Sequence, residues 1–252
     1  MTRLIHDVAE LQAWRAQKAG QVGFVPTMGA LHAGHAALLR QARAGSDAVV
    51  LSVFVNRTQF NDPADYARYP VTLEADRAIA ESEGVDVLFA PEHAALYPDD
   101  YRYVVNERDL STRLCGAHRP GHFDGVLTVV LKLLQLVRPQ RAWFGEKDYQ
   151  QLALIRGMVE AFFLPAQIIG VPTVREADGL ALSSRNLRLT SEQRAVAPRL
   201  YAILRDAATA QAAIAALTEA GFRVDYVDDL DGRRYAAAFL GDVRLIDNIP
   251  LP

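Results

Sequence analysis

Val25-Pro26-Thr27-Met28-Gly29-Ala30-Leu31-His32-Ala33-Gly34-His35 joins an apolar run at 22–25 to an apolar-periodic stretch at 35–44. The pattern reads as a strand, a tight glycine turn and a helix. Gly29 and Gly34 carry no Cβ, so backbone there can approach a ligand closely. His32 and His35 are three residues apart and face the same way in a helical turn. The free N–H groups of the helix start favour phosphate. A histidine pair at this spacing also suits helix capping or a zinc ion, although no third ligand cluster accompanies it.

Working outward, strand-like and helix-like segments alternate. AVVLSVF at 48–54 is a near-continuous apolar run, as expected for a parallel strand buried on both faces. The spacing predicts a helix over 73–82 and a short strand over 85–89. Val126, Val129, Val130, Leu133, Leu134 and Val137 recur at helical spacing and stop before Pro139. A strand at 142–144, a helix at 148–162 and a strand at 167–174 complete the alternation. It predicts an α/β fold with a doubly wound parallel sheet.

Beyond about residue 174 the pattern changes. Residues 179–190 form a polar loop, and Thr190 with Gln193 reads as a capping box for a helix running to about 208. A second alanine-rich helix follows to 220. Segments 223–227, 234–240 and 244–249 read as strands of a small sheet. The boundary falls near 174–178, dividing the chain into domains 1–175 and 176–252.

Composition narrows the function classes. Half of the 252 residues are hydrophobic and 23% are charged, which supports a sizeable core. A net charge of −3 argues against a dedicated nucleic-acid binder, so an anionic substrate needs local cations. The single cysteine, Cys115, rules out an intramolecular disulfide and a cysteine-based zinc site. The N-terminal residues lack a long apolar core, and no run approaches about 18 apolar residues. These features predict a soluble, cytoplasmic protein with no membrane partner.

Three further constellations carry chemistry. FVNRTQF at 54–60 follows the buried strand, where residues at strand carboxyl ends line a ligand crevice, and Asn56 and Gln59 offer neutral amides. GEKDYQQ at 145–151 also lies at a strand end. There Lys147 suits a phosphate, Asp148 either caps the helix or holds Mg²⁺ through water, and Gln151 shares its face. LSSRN at 182–186 places two hydroxyls and a guanidinium in a polar loop, as suits a triphosphate. Each segment alone also reads as an ordinary polar loop or capped helix.

The two histidines of the opening turn resemble the HxGH signature of nucleotidylyltransferases. Beyond that, the chain resembles the pantothenate synthetase (pantoate–β-alanine ligase) family. The resemblance rests on PTMGALHAGH (26–35), FVNRTQF (54–60), LCGAHRPGHFDGV (114–126), FGEKDYQQL (144–152), DGLALSSRN (178–186) and RLIDN (244–248). It implies a Rossmann-like N-terminal domain, a small α+β C-terminal lid domain and a homodimer. It implies condensation of pantoate with β-alanine, using ATP and Mg²⁺, through a pantoyl-adenylate.

By matched position, the resemblance implies ATP binding by Met28, Gly29, Ala30, Leu31, His32, Ala33, Gly34 and His35. It implies the same for Gly145, Glu146, Lys147, Asp148, Val174, Leu182, Ser183, Ser184 and Arg185. His35, His32, Lys147 and Arg185 take the catalytic roles, and Gln59, Gln151 and Asn56 bind substrate. Mg²⁺ is held mainly through the ATP phosphates, with Asp148 as the candidate protein ligand. The chain departs from the family at Arg57, where Pro is usual, and at Gln135, where Asn is frequent. Its C-terminal domain also reads as shorter between 227 and 235.

Pantoate arrives ionised, since a carboxylic acid with a pKa of about 4 is deprotonated at neutral pH. The first step therefore needs no base, and the histidines read as donors to the phosphates. Two other readings remain at this point: another HxGH nucleotidylyltransferase that stops at a nucleotidyl product, and a nucleotide-binding module without catalysis. Release of AMP that depends on an amine separates the first from a ligase.

Overall fold

In the computed structural model, which describes residues 2–61 and 63–252, the chain divides into two compact units. The first comprises Met1–Gly145 and Gln151–Val171; the second comprises Glu146–Gln150 and Pro172–Pro252. The chain thus crosses between them at Gly145/Glu146, Gln150/Gln151 and Val171/Pro172.

The first unit is built on a six-stranded sheet. Its elements in order are β1 (Arg3–Ile5), α1 (Val8–Ala16), β2 (Val22–Thr27), α2 (Ala33–Ala44), β3 (Ala48–Val53), α3 (Pro63–Ala67), α4 (Leu73–Ser82), β4 (Val87–Phe89), α5 (His93–Leu96), α6 (Cys115–His118), α7 (His122–Val137), β5 (Arg141–Gly145), α8 (Tyr149–Ala161) and β6 (Gln167–Val171). The strand order is β1-β4-β3-β2-β5-β6, and every pairing is parallel. The order reverses between β2 and β5. In such sheets ligands bind outside the carboxyl ends of the strands at the reversal. β2 and β3 deliver the 26–35 and 54–60 segments to that end.

The alternation expected from sequence is present. Val49, Val50 and Leu51 are buried, as a strand covered on both faces requires. Val25, Leu39, Val49, Leu51, Ala80 and Leu88 share one core cluster, so α2 and α4 cover one side of the sheet. On α7 the six periodic positions from Val126 to Val137 are all buried. The helix starts earlier than that pattern, at His122, because Gly121 adopts φ 76 and turns the chain into it. The first strand and helix and the short elements at 63–67, 93–96 and 115–118 carry too little periodicity to be read from sequence.

The second unit holds α9 (Ser191–Val196), α10 (Arg199–Asp206), α11 (Ala210–Glu219), β7 (Arg223–Leu230), β8 (Arg233–Leu240) and β9 (Val243–Pro250). β7, β8 and β9 form an antiparallel sheet in that order. Leu200, Leu204, Ala213, Leu217, Val227, Ala236 and Leu245 form its core. The Thr190–Gln193 capping box is present. The expected single helix to about 208 is two helices. Pro198 has no N–H to donate, and its ring crowds the preceding turn. The hairpin between β7 and β8 turns on Asp231 (φ 50) and Gly232 (φ 72), so both strands run further toward it than expected. Two positive φ values with Asp-Gly are the chemistry of a tight hairpin turn. Among the described residues no helix is long and apolar enough to cross a membrane.

Candidate active site

In the first unit, the turn after β2 is held by a carboxylate that the sequence did not suggest. Asp76 of α4 is 1% exposed. Its Oδ2 accepts the N–H of Ala30 at 3.1 Å, and its Oδ1 accepts the N–H of Leu31 at 2.8 Å and the Thr72 hydroxyl at 3.2 Å. Gly29, at φ +83, makes this approach possible: a Cβ there would lie 2.9 Å from both Asp76 Oδ2 and Val53 Cγ1. Thr27 accepts the Gly29 N–H at 3.2 Å and donates to the Ser52 carbonyl at 2.7 Å, which ties the turn to β3.

Helix α2 starts at Ala33, so His32 is its extended N-cap residue and only His35 lies inside it. His32 Nδ1 accepts the N–H of Gly34 at 3.1 Å, and His35 Nδ1 accepts the N–H of His32 at 3.3 Å. The two rings stand 4.1 Å apart at 37°. A ring nitrogen that accepts an N–H carries no proton, so in each neutral imidazole the proton sits on Nε2. The N–H groups of Ala30, Leu31, His32 and Gly34 all donate within the protein. The capping reading of the histidines is thus present in the structure, and it engages Nδ1 of each ring.

The turn Arg57–Gln59 after β3 forms a second arrangement in the same unit. Asn56 is 1% exposed. Its Nδ2 donates to Gln59 Oε1 at 3.1 Å and to the Gly125 carbonyl at 3.0 Å. Its Oδ1 accepts the Thr58 hydroxyl at 3.0 Å and the Tyr97 hydroxyl at 2.9 Å. All four hydrogen-bonding positions of that amide are used inside the protein. Through Nδ2, Asn56 fixes the side-chain oxygen of Gln59. With Gln59 Oε1 facing Asn56, Gln59 Nε2 donates to Met28 Sδ at 3.0 Å. Burial pushes the Tyr97 hydroxyl pKa up to about 12, so it stays a donor.

Helix α7 supplies the cradle under this turn. A Cβ on Gly125 would lie 2.7 Å from Gln59 N, Thr58 C and Thr58 O. The Gln59 carbonyl accepts from His122 Nδ1 at 2.8 Å and from Arg119 at 3.2 Å. Arg119, His122 and Gly125 lie within the 114–126 motif, to which sequence assigned no role. A glycine inside a helix, unfavourable by about 1 kcal/mol against alanine, was the available signal. Arg57 is exposed. Gln151 is half-buried at the first turn of α8.

In the second unit, Lys147 sits on the single 3-10 turn Glu146–Asp148. Its side chain is 18% exposed, and Nζ lies 3.6 Å from Asp148 Oδ2. Asp148 is 47% exposed. Among the described residues no group of three or more His, Cys, Asp or Glu could hold a metal ion. A Mg²⁺ carried by phosphates and waters asks for no more than one or two carboxylates, and Asp148 meets that need. The Val174 carbonyl accepts the Leu182 N–H at 3.0 Å, and Arg175 bridges to Ala181, which closes the loop between them. Ser183 Oγ accepts the Arg185 N–H at 3.2 Å and caps the turn Ser184–Arg188. Asn186 steadies that turn by donating to the Ala181 carbonyl at 3.0 Å. Gly145 is the last residue of β5, where the chain leaves the first unit.

The model of the family described as Pantoate-beta-alanine ligase matches residues 3–250. A pantothenate synthetase of Bdellovibrio bacteriovorus is 58% identical over 251 residues, covering all of both chains. One of Coxiella burnetii is 49% identical, covering 99% of this chain and 97% of its own. Among solved structures, the pantothenate synthetase of Thermus thermophilus superposes with a TM-score of 0.93 at 46% identity, covering both chains fully. The pantoate-beta-alanine ligase of Francisella tularensis, described as complexed with beta-gamma ATP and beta-alanine, superposes with a TM-score of 0.94 at 41% identity. It covers 99% of this chain and 98% of its own.

Proposed function

Since the chain belongs to the pantoate-β-alanine ligase family, we propose that it joins pantoate to β-alanine using ATP, through a pantoyl-adenylate. In the first step a pantoate carboxylate oxygen bonds to the α-phosphorus, and the bond to diphosphate breaks. In the second the β-alanine amine, having lost a proton, attacks the acyl carbon, and AMP leaves. The observation that carries this reading is the reciprocal capping of His32 and His35. It sets two Nε2–H donors on a rigid turn, the arrangement a departing diphosphate needs and an attacking base would not have.

Within the first unit, Met28 to His35 contact ATP, and Gln59 and Gln151 orient pantoate. Neutral amides direct the carboxylate without the ion pair that would blunt it as a nucleophile. Asn56 serves pantoate through Gln59. Within the second, Lys147, Leu182, Ser183, Ser184 and Arg185 bind phosphate, Glu146 contacts ATP and Val174 contacts the adenine part; Gly145, at the end of the first unit, also contacts ATP. Lys147 and Arg185 offset the charge that develops on the phosphates. Mg²⁺ is the divalent ion of this reading; when bound it neutralises phosphate charge, and Asp148 would hold it through water. The same reading makes the protein a cytoplasmic homodimer, which light scattering of the purified chain tests for the dimer.

The deciding experiment measures AMP and diphosphate with each substrate omitted in turn. Diphosphate that needs ATP and pantoate, with AMP that also needs β-alanine, is the expected pattern. A stable nucleotidyl product indifferent to β-alanine would overturn it.

A further inference from the structure

The 3-10 turn that carries Lys147 is three residues long, too short to fix its own orientation. Its anchor comes from the last strand. Asn248 of β9, 4% exposed, donates through Nδ2 to the carbonyls of both Glu146 and Lys147 at 2.9 Å. The amide cannot flip without loss. Its Oδ1 accepts from Arg233 at 2.5 Å, which leaves the NH₂ end for the turn. The Asn248 N–H donates to Asp247 Oδ1 at 2.8 Å. Asp247, also 4% exposed, takes both arms of the Arg175 guanidinium at 2.6 and 2.9 Å. Arg175 stacks 3.6 Å over the Tyr201 ring, and Arg233 stacks 3.7 Å over Tyr149, the residue that follows the turn. A planar, bidentate and stacked guanidinium is a stiff support.

We infer that Asn248 is a positioning residue for Lys147. It fastens the backbone of the lysine turn to β9, a strand that also packs against the turn Ser184–Arg188. The turns that carry Lys147 and Arg185 thus pack against one strand of one unit, and Asn248 fastens the first of them. This gives a role to the 244–248 motif, which the mechanism leaves without one. The inference rests on reading Lys147 as a phosphate-binding cation.

The test uses the full chain with Asn248→Ala, Asn248→Asp, Lys147→Ala and the double Asn248→Ala/Lys147→Ala. Diphosphate release is followed in single turnover with ATP and pantoate, alongside the ATP KM and the melting temperature. Asn248→Asp keeps the size and the acceptor for Arg233 but faces the two carbonyls with an oxygen, so it serves if the alanine variant folds poorly. Small misplacements of a catalytic group cost up to about 100-fold. Each Asn248 variant is therefore expected to release diphosphate about 10- to 100-fold more slowly. The double variant is expected to be no slower than Lys147→Ala within about threefold, because a group that acts through Lys147 has nothing left to position. Losses that multiply in the double variant, or an Asn248→Asp protein within twofold of wild type, would overturn the role of Asn248 alone. Wild-type release by Lys147→Ala would overturn the reading of Lys147 and this inference with it.

Discussion

The Nδ1 atom of His35 accepts the backbone N–H of His32 at 3.3 Å, while His32 returns the favour to its own helix by accepting from Gly34 at 3.1 Å. One nitrogen of each ring is spent on building the helix start. The donor role proposed for the histidines falls to the other, and variants can separate the two uses.

Asparagine is a good N-cap residue, so His32→Asn is expected to keep the cap and melt near wild type. It loses the reach of Nε2–H, and diphosphate release is expected to fall about 10²-fold. His35→Ala removes the donor and a cap partner together. It is expected to slow adenylate formation by about 10²- to 10³-fold and to lower stability by about 1 kcal/mol. Single-turnover diphosphate release and thermal melts check both, and near-wild-type release would sink the donor role.

Gln59 shows its acceptor to Asn56 and its donor to Met28. A glutamate there still accepts from Asn56 but replaces that donor with a second carboxylate oxygen. Gln59→Glu is thus expected to impair pantoate use more than Gln59→Ala. The alanine variant should lose about 10- to 100-fold, since an unpaired polar partner costs roughly 1–3 kcal/mol. ATP Kd should barely move in either. Pantoate KM and ATP Kd decide it; a glutamate variant that outperforms the alanine one would count against the assignment.

Gly125→Ala tests the cradle without touching any proposed ligand. Its Cβ would meet Thr58 and Gln59 backbone at 2.7 Å, so the turn must move. Overpacking of this kind costs about 1–3 kcal/mol. The expected result is a lower melting temperature together with a pantoate KM raised at least tenfold and an ATP Kd left within about twofold. An unchanged pantoate KM would show that the turn tolerates displacement.

Acid should unfold the protein through its paired carboxylates. The Lys132 ammonium and the Tyr103 N–H hold the Asp99 carboxyl well below its usual range. Arg194 does the same for Asp178, and Arg234 for Asp229. A folded-state pKa below the unfolded one stabilises at pH values above the unfolded value of about 3.9, and that stability is lost as pH falls through the folded value. Melting temperature should therefore stay nearly flat from pH 7 to 5 and fall below about pH 4. Asp99→Asn should lower it at pH 7 and flatten the acid limb. An unchanged acid limb in that variant would assign the loss to other groups.

Much of the fold was legible along the chain because burial repeats locally. A strand covered on both faces must be almost wholly apolar, and 48–53 is, with Ser52 its one polar residue. A helix against a sheet must repeat its apolar residues every three to four positions, and 126–137 does. Pro198 and the Asp231-Gly232 pair were equally local signals, and they account for the split helix and the longer hairpin. The site residues were legible as types: amides, histidines and cations at strand ends, in an order that matches a family.

Their roles were not, because a polar side chain's task depends on which partner reaches it, and partners are remote in sequence. Asp76 reaches Ala30 across 46 positions, Gly125 meets Asn56 across 69, and Asn248 holds Lys147 across 101. Sequence alone determined which groups this protein could bring to a phosphate and a carboxylate. Tertiary structure alone decided which nitrogen of each histidine is spent on the helix, which end of Gln59 meets Asn56, and to which strand Lys147 is tied. A hydrogen bond is a matter of distance and direction between two groups, and only the folded chain sets both.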